Sequence, residues 1–124
     1  MFSLSLRSIV LLCSALTFIL LHSAASHALE EPNLAQEPVV LKITIQDHRF
    51  SPTELHAPAG KPLAIAVTNN DDSTEEFESY DFDREQRIKA KETGTIKLGP
   101  MKPGRYPFFG DFHRKTAQGV LVVE

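Results

Sequence analysis

From Val39 to the end of the chain, apolar and polar residues alternate in short runs. Val39, Leu41, Ile43 and Ile45 alternate with Val40, Lys42 and Thr44. That period of two is the mark of a strand with one buried face. Leu63, Ile65 and Val67 alternate with Ala64, Ala66 and Thr68 in the run Leu63–Asn69, and Phe77, Ser79 and Asp81 alternate with Glu78, Tyr80 and Phe82. Shorter β-type runs are Glu54–Ala57, Gln86–Ala90, Thr95–Leu98, Tyr106–Phe109 and Val120–Val123. Turn residues separate them at Pro58-Ala59-Gly60-Lys61, Glu92-Thr93-Gly94 and Pro103-Gly104. No segment keeps a helical period long enough to form a helix. The pattern predicts an all-β domain over residues 39–124, a small Greek-key antiparallel β-sandwich of about seven to eight strands.

The N-terminal pattern is different. Residues 2–21 are apolar apart from Arg7 and a few hydroxyl side chains, and the continuous stretch Ile9–Leu21 is shorter than the roughly 20 residues a membrane span needs. Small residues follow, ending in Ser26-His27-Ala28. This reads as a secretory signal peptide, residues 1–28, cleaved after Ala28. Residues 29–38, LEEPNLAQEP, form a polar lead-in. The chain of 124 residues has a single cysteine, Cys13, and it lies inside the signal. The exported form therefore has no thiolate ligand, disulfide or cysteine nucleophile. Losing Arg7 makes the formal net charge of −3 one unit more negative, which argues against nucleic acid as a partner.

Three segments carry candidate chemistry. Asp71–Glu85 holds Asp71, Asp72, Glu75, Glu76, Glu78, Asp81, Asp83 and Glu85 against Arg84 alone, interrupted by Phe77, Tyr80 and Phe82. The aromatic residues imply that part of this run packs as a strand. Glu76 and Glu78 then share one face, while Glu75 and Phe77 share the other. Carboxylates held close on a rigid element call for a proton or a hard cation. The second segment is Tyr106–Gly119, where Asp111 and His113 stand two apart after an aromatic run. The third is Asp47-His48, just after the first strand, a weaker candidate that also reads as simple turn chemistry. His56 has no partner in sequence. Ser51, Ser73 and Ser79 lack a nucleophile elbow, no phosphate-binding glycine loop is present, and a chain this small leaves little room for a glycosidase cleft.

Taken together, the segments resemble the cupredoxins. FSPTELHAPAGKPLAIAVTNNDD is similar to the first half of bacterial members, and GRYPFFGDFHRKTAQGVLVV is similar to their closing G-x-Y-x-F-x-C-x-x-H loop and last strand. The resemblance implies a cupredoxin-like β-sandwich. It places Glu75 at the first His ligand position, Gly110 at the Cys position, His113 at the second His, and Ala117-Gln118 in the axial region. Without a thiolate, type 1 copper is excluded. The hard ligand set Glu75, Glu76, Glu78, Asp111 and His113, with Asp47 and His48 nearby, favours iron, Fe(II) or Fe(III). EEFES and GPMKPGRYPFFGDFH resemble the cupredoxin-like components of bacterial periplasmic iron-uptake systems: the Efe-type cupredoxin domain and the cupredoxin encoded with ferrous-iron permeases. That resemblance implies a periplasmic protein that supports ferrous-iron oxidation, or delivery to a membrane iron permease or periplasmic iron-binding protein, without being an independent enzyme. Two alternatives remain open at this level. One is a carrier with a non-blue Cu(II) site. The other is a metal-free docking module whose basic segment, Arg84, Arg87, Lys89 and Lys91, complements the acidic strand.

Overall fold

The computed structural model describes residues 35–124. The expected signal peptide, residues 1–28, and the first part of the lead-in lie outside the described residues. Nine strands follow in order: β1 (Val39–Gln46), β2 (Arg49–Ser51), β3 (Glu54–Ala57), β4 (Leu63–Asn69), β5 (Glu75–Ser79), β6 (Arg84–Ile88), β7 (Thr93–Leu98), β8 (Gly104–Gly110) and β9 (Gln118–Val123). A single 3-10 turn, Asp111–His113, is the only helical element among the described residues. The strands form two sheets, ordered β2-β1-β4-β7 and β3-β9-β8-β5-β6. The expected all-β sandwich is the architecture found, with one strand beyond the predicted range.

Its sheets are mixed, however, and not wholly antiparallel. β1 runs parallel to β4 and β3 runs parallel to β9. Each parallel pair is joined through a crossover to the other sheet, which alternation within single strands does not reveal. The run expected at Phe77–Phe82 also shifts. β5 begins at Glu75 and stops at Ser79, where residues 80–83 turn into β6, and Asp83 takes a positive φ of 51°. Likewise β7 begins at Thr93, so Gly94 lies in a strand opposite Val67 instead of in a turn.

The inward faces agree with the alternation. Ile43 and Ile45 of β1, Leu63, Ile65 and Val67 of β4, Ile96 and Leu98 of β7, and Phe77, Phe108, Leu121 and Val123 of the opposite sheet are buried in one core. Three rings meet at its centre: Phe77 lies 5.0 Å from Phe108, and Phe50 packs edge-on to both. Offset and edge-on aromatic pairs of this kind each add about 0.5–1.5 kcal/mol beyond their buried area. The three rings come from β2, β5 and β8.

Candidate metal centre

Asp47 and His48 form the two-residue loop of the β1–β2 hairpin, because Gln46 pairs with Arg49. Both have positive φ, 51° and 56°, as a type I′ hairpin turn requires. Neither residue is glycine, so an outside partner offsets the cost of that conformation. Asp71 supplies it: its carboxylate accepts the backbone N–H of Asp47 at 2.7 Å and of His48 at 2.9 Å. Burial pushes the Asp71 carboxyl up, but these two N–H groups, the His48 imidazole and Lys91 outweigh it and hold the carboxyl below its ordinary value. Asp71 is placed in turn by Asn69. That fully buried amide accepts the Asp71 N–H at 3.0 Å and donates to the carbonyls of Ser73 and Ile88.

The hairpin tip delivers His48 onto His113. The two imidazoles stack nearly parallel, with ring centroids 3.6 Å apart and planes 10° apart. His113 sits in the 3-10 turn after β8, which is closed by Ala117 N–H to the His113 carbonyl at 2.8 Å and Gly110 N–H to the Ala117 carbonyl at 2.9 Å. Its Nδ1 lies 2.5 Å from Glu75 Oε2. The other oxygen of Glu75 accepts the backbone N–H groups of Glu76 and Phe112, each at 3.0 Å. Only 2% of the Glu75 side chain is exposed, against 31% for His113. His48, Glu75 and His113 thus offer two ring nitrogens and a carboxylate oxygen within 4.8 Å of one another, a spacing at which a metal ion could be held. Beside them opens a depression of about 570 Å³ lined by His48, Phe112, His113 and the loop Arg114–Thr116.

Glu76, Glu78 and Asp111 form a second group within the same 4.8 Å limit, on the opposite face of β5. Arginines occupy this one. Arg87 Nε donates to Glu76 at 2.5 Å, and Arg114 Nε donates to Asp111 at 2.5 Å while its other end lies 3.7 Å from Glu78. Arg114 also donates to the Tyr80 hydroxyl and lies over the Phe109 ring at 4.5 Å. Partial burial and the neighbouring Asp111 raise the Glu78 carboxyl above its ordinary range, with Arg114 opposing.

The expected ligand set therefore divides. Glu75 and His113 stand together and are joined by His48; Glu76, Glu78 and Asp111 stand apart from them, paired with arginine. Asp47 contributes its backbone to the hairpin and belongs to neither group. His56 is exposed and pairs with Glu54 at 2.9 Å, away from both. Asn69 and Asp71, which place His48, were not singled out from sequence as a unit. The Asn-Asn-Asp-Asp run after an apolar strand was the available signal, since Asn and Asp side chains habitually bond to nearby backbone N–H groups.

Gly110, assigned by resemblance to the Cys ligand position, lies opposite Phe77 in the β5–β8 ladder, with Glu75 as its diagonal neighbour on the same face. The residues at the expected first and second His positions are therefore in contact, and the residue at the Cys position adjoins them. The sequence profile of the cupredoxin-like domain matches residues 10–123. The chain belongs to the cupredoxin-like domain family. An uncharacterized protein of Rickettsia prowazekii (strain Madrid E) is 38% identical over 117 residues, covering 94% of this chain and 92% of its own. Among solved structures, the chain is similar in fold to auracyanin A, a "blue" copper protein of Chloroflexus aurantiacus, with a TM-score of 0.61 and 19% identity over 71% of this chain and all of that one. It is similar as well to the metal-binding domain of the Streptococcus pneumoniae D39 Cu(I)-exporting P-type ATPase, with a TM-score of 0.59 and 18% identity over 68% of this chain and 84% of that one. A third is the purple cupredoxin of Nitrosopumilus maritimus, with a TM-score of 0.52 and 19% identity over 67% of this chain and 98% of that one. At these identities the structural neighbours establish the cupredoxin fold of this chain.

Proposed function

We propose that this cupredoxin-like protein is exported to the periplasm and binds one iron ion through His48, Glu75 and His113, in support of ferrous-iron oxidation or delivery to a membrane iron permease. The observation that carries the reading is the donor set: two imidazoles that line an open depression and one buried carboxylate behind them lie within 4.8 Å of one another. Two His and one carboxylate with positions left open is the ligand pattern associated with non-haem Fe(II). No cysteine occurs in residues 35–124, so the thiolate that type 1 copper requires is missing from the domain. A charged carboxylate also favours Fe(III) over Fe(II) once bound, which lowers the reduction potential of the bound ion. Binding takes the place of the Glu75–His113 hydrogen bond and releases the proton it holds, so affinity rises with pH.

Nitrogen and oxygen donors also suit tetragonal Cu(II), which is the second reading. Anaerobic calorimetric titration of the purified protein with Fe(II), and separately with Cu(II), decides between them, with His113→Ala as control. The proposal expects one Fe(II) per chain in wild type and none in His113→Ala. Uptake of Cu(II) with no uptake of Fe(II) would transfer the site to the second reading. No uptake of either ion would remove the metal-binding function. For the permease partner, co-purification with the membrane fraction in an iron-dependent manner is the expected result.

A further inference from the structure

Gly110 has an ordinary extended backbone, φ −91° and ψ 114°, which any residue adopts. Its lack of a side chain therefore serves space and not conformation. A Cβ at this position would stand 2.8 Å from Cδ and 2.9 Å from Oε1 of Glu75, and 2.7 Å from the Cβ of Ala117. Separations under 3.0 Å are not tolerated, so one neighbour must move. Ala117 is fully buried and held by its own N–H and carbonyl in the loop closure. Glu75 is the longer and more flexible side chain, yet its seat is defined by three donors, the N–H groups of Glu76 and Phe112 and the His113 ring.

We propose that Gly110 determines the donor class of this centre: the empty space at position 110 admits the Glu75 carboxylate, and any side chain there expels it. A thiolate at 110 and a carboxylate from 75 are alternatives for one volume. The chain is thus committed to an oxygen donor, and to hard ions over Cu(I), by the absence of a single carbon atom. The metal preference rests on the reading that His48, Glu75 and His113 hold the ion. The steric exclusion does not.

The test is a double-mutant cycle between Gly110→Ala and Glu75→Ala, read without metal and then with it. In the metal-free protein, Gly110→Ala should lower the melting temperature and shift the Glu76 and Phe112 amide resonances as strongly as Glu75→Ala does. In the Glu75→Ala background, Gly110→Ala should cost less, because the contact with the carboxylate is gone and only the one with the Ala117 Cβ remains. Equal melting-temperature losses in both backgrounds, or unshifted amides in Gly110→Ala, would overturn the exclusion. With Fe(II), each single variant and the double should lose affinity by the same factor, on the order of 100-fold, since all three remove one ligand. In Gly110→Cys, Cu(II) should produce an intense thiolate charge-transfer absorption that the wild type and Gly110→Ala lack. Wild-type Fe(II) affinity in Gly110→Ala would overturn the role in metal choice. If wild-type protein takes up no iron while the metal-free cycle behaves as stated, the exclusion stands and the iron reading falls.

Discussion

The two faces of β5 carry the same residue type to opposite ends. On the inward face, Glu75 is sealed from solvent with one imidazole and two backbone N–H groups as its only partners. On the outward face, Glu76 is almost as buried but is bonded to Arg87, whose side chain is 71% exposed. The first carboxylate is held by groups that can give it up to a cation: an imidazole in its neutral form is itself a metal ligand. The second is neutralised by a guanidinium that cannot lose its proton and leaves no charge for a metal to satisfy. A strand places neighbouring residues on opposite faces, so one dense acidic run yields a candidate centre on one side and an arginine-capped surface on the other.

The sharpest way to break this comparison is to truncate each face in turn. Glu75→Ala leaves the N–H groups of Glu76 and Phe112 and the His113 ring without their acceptor, at about 1–3 kcal/mol for a buried group left unsatisfied. Urea denaturation should show a loss of that size together with loss of Fe(II) binding. Glu76→Ala strands only an exposed Arg87, so its loss should stay within about 1 kcal/mol. Combined with Glu78→Ala and Asp111→Ala, it should leave Fe(II) affinity unchanged. Equal iron loss on both faces would erase the distinction.

The next effect concerns the hairpin that brings His48 to the centre. Asp71→Ala removes the acceptor of two N–H groups in a left-handed turn, at a cost of about 1–3 kcal/mol. Fe(II) affinity should fall about 10–100-fold, as expected for a residue that orients a ligand. The folded carboxyl of Asp71 lies below its ordinary value of 3.8, so the stability it contributes is present above that pH and is lost as pH falls through the folded value. The stability gap between wild type and Asp71→Asn should therefore be constant at neutral pH and close in acid.

Glu78 supplies the smallest effect and the opposite sign. Its carboxyl is raised above the ordinary 4.5, so protonation favours the folded state, and that contribution is lost as pH rises through the folded value. Glu78→Gln should be slightly more stable than wild type at pH 7 by thermal melting, and the advantage should vanish below pH about 4.

Most of the fold was legible because single-strand alternation survives in this chain: β1 and β4 bury the residues that their period of two predicts. Pairing partners were not legible. The parallel β1–β4 and β3–β9 pairs depend on crossovers between sheets that no local pattern encodes. At the site, Glu75 and His113 were readable from their places in cupredoxin-like motifs, and alternation already assigned Glu75 and Glu76 to different faces. The structure divides the expected set into two groups, one on each of the faces that alternation assigned. The arginines that answer Glu76 and Asp111 come from β6 and from the loop after the 3-10 turn. Asp47-His48 reads as a turn pair and also faces the candidate centre: Asp71 holds the turn, and the turn presents the imidazole to His113.

The most direct measurement is the two-dimensional NMR spectrum of the histidine rings during anaerobic titration with Fe(II). One equivalent should broaden or shift the ring signals of His48 and His113 together, along with the Phe112 amide, and leave His56 and the Arg87 and Arg114 side chains unaffected. Perturbation centred on Arg87 and Arg114, or on none of these groups, would contradict a centre built from His48, Glu75 and His113.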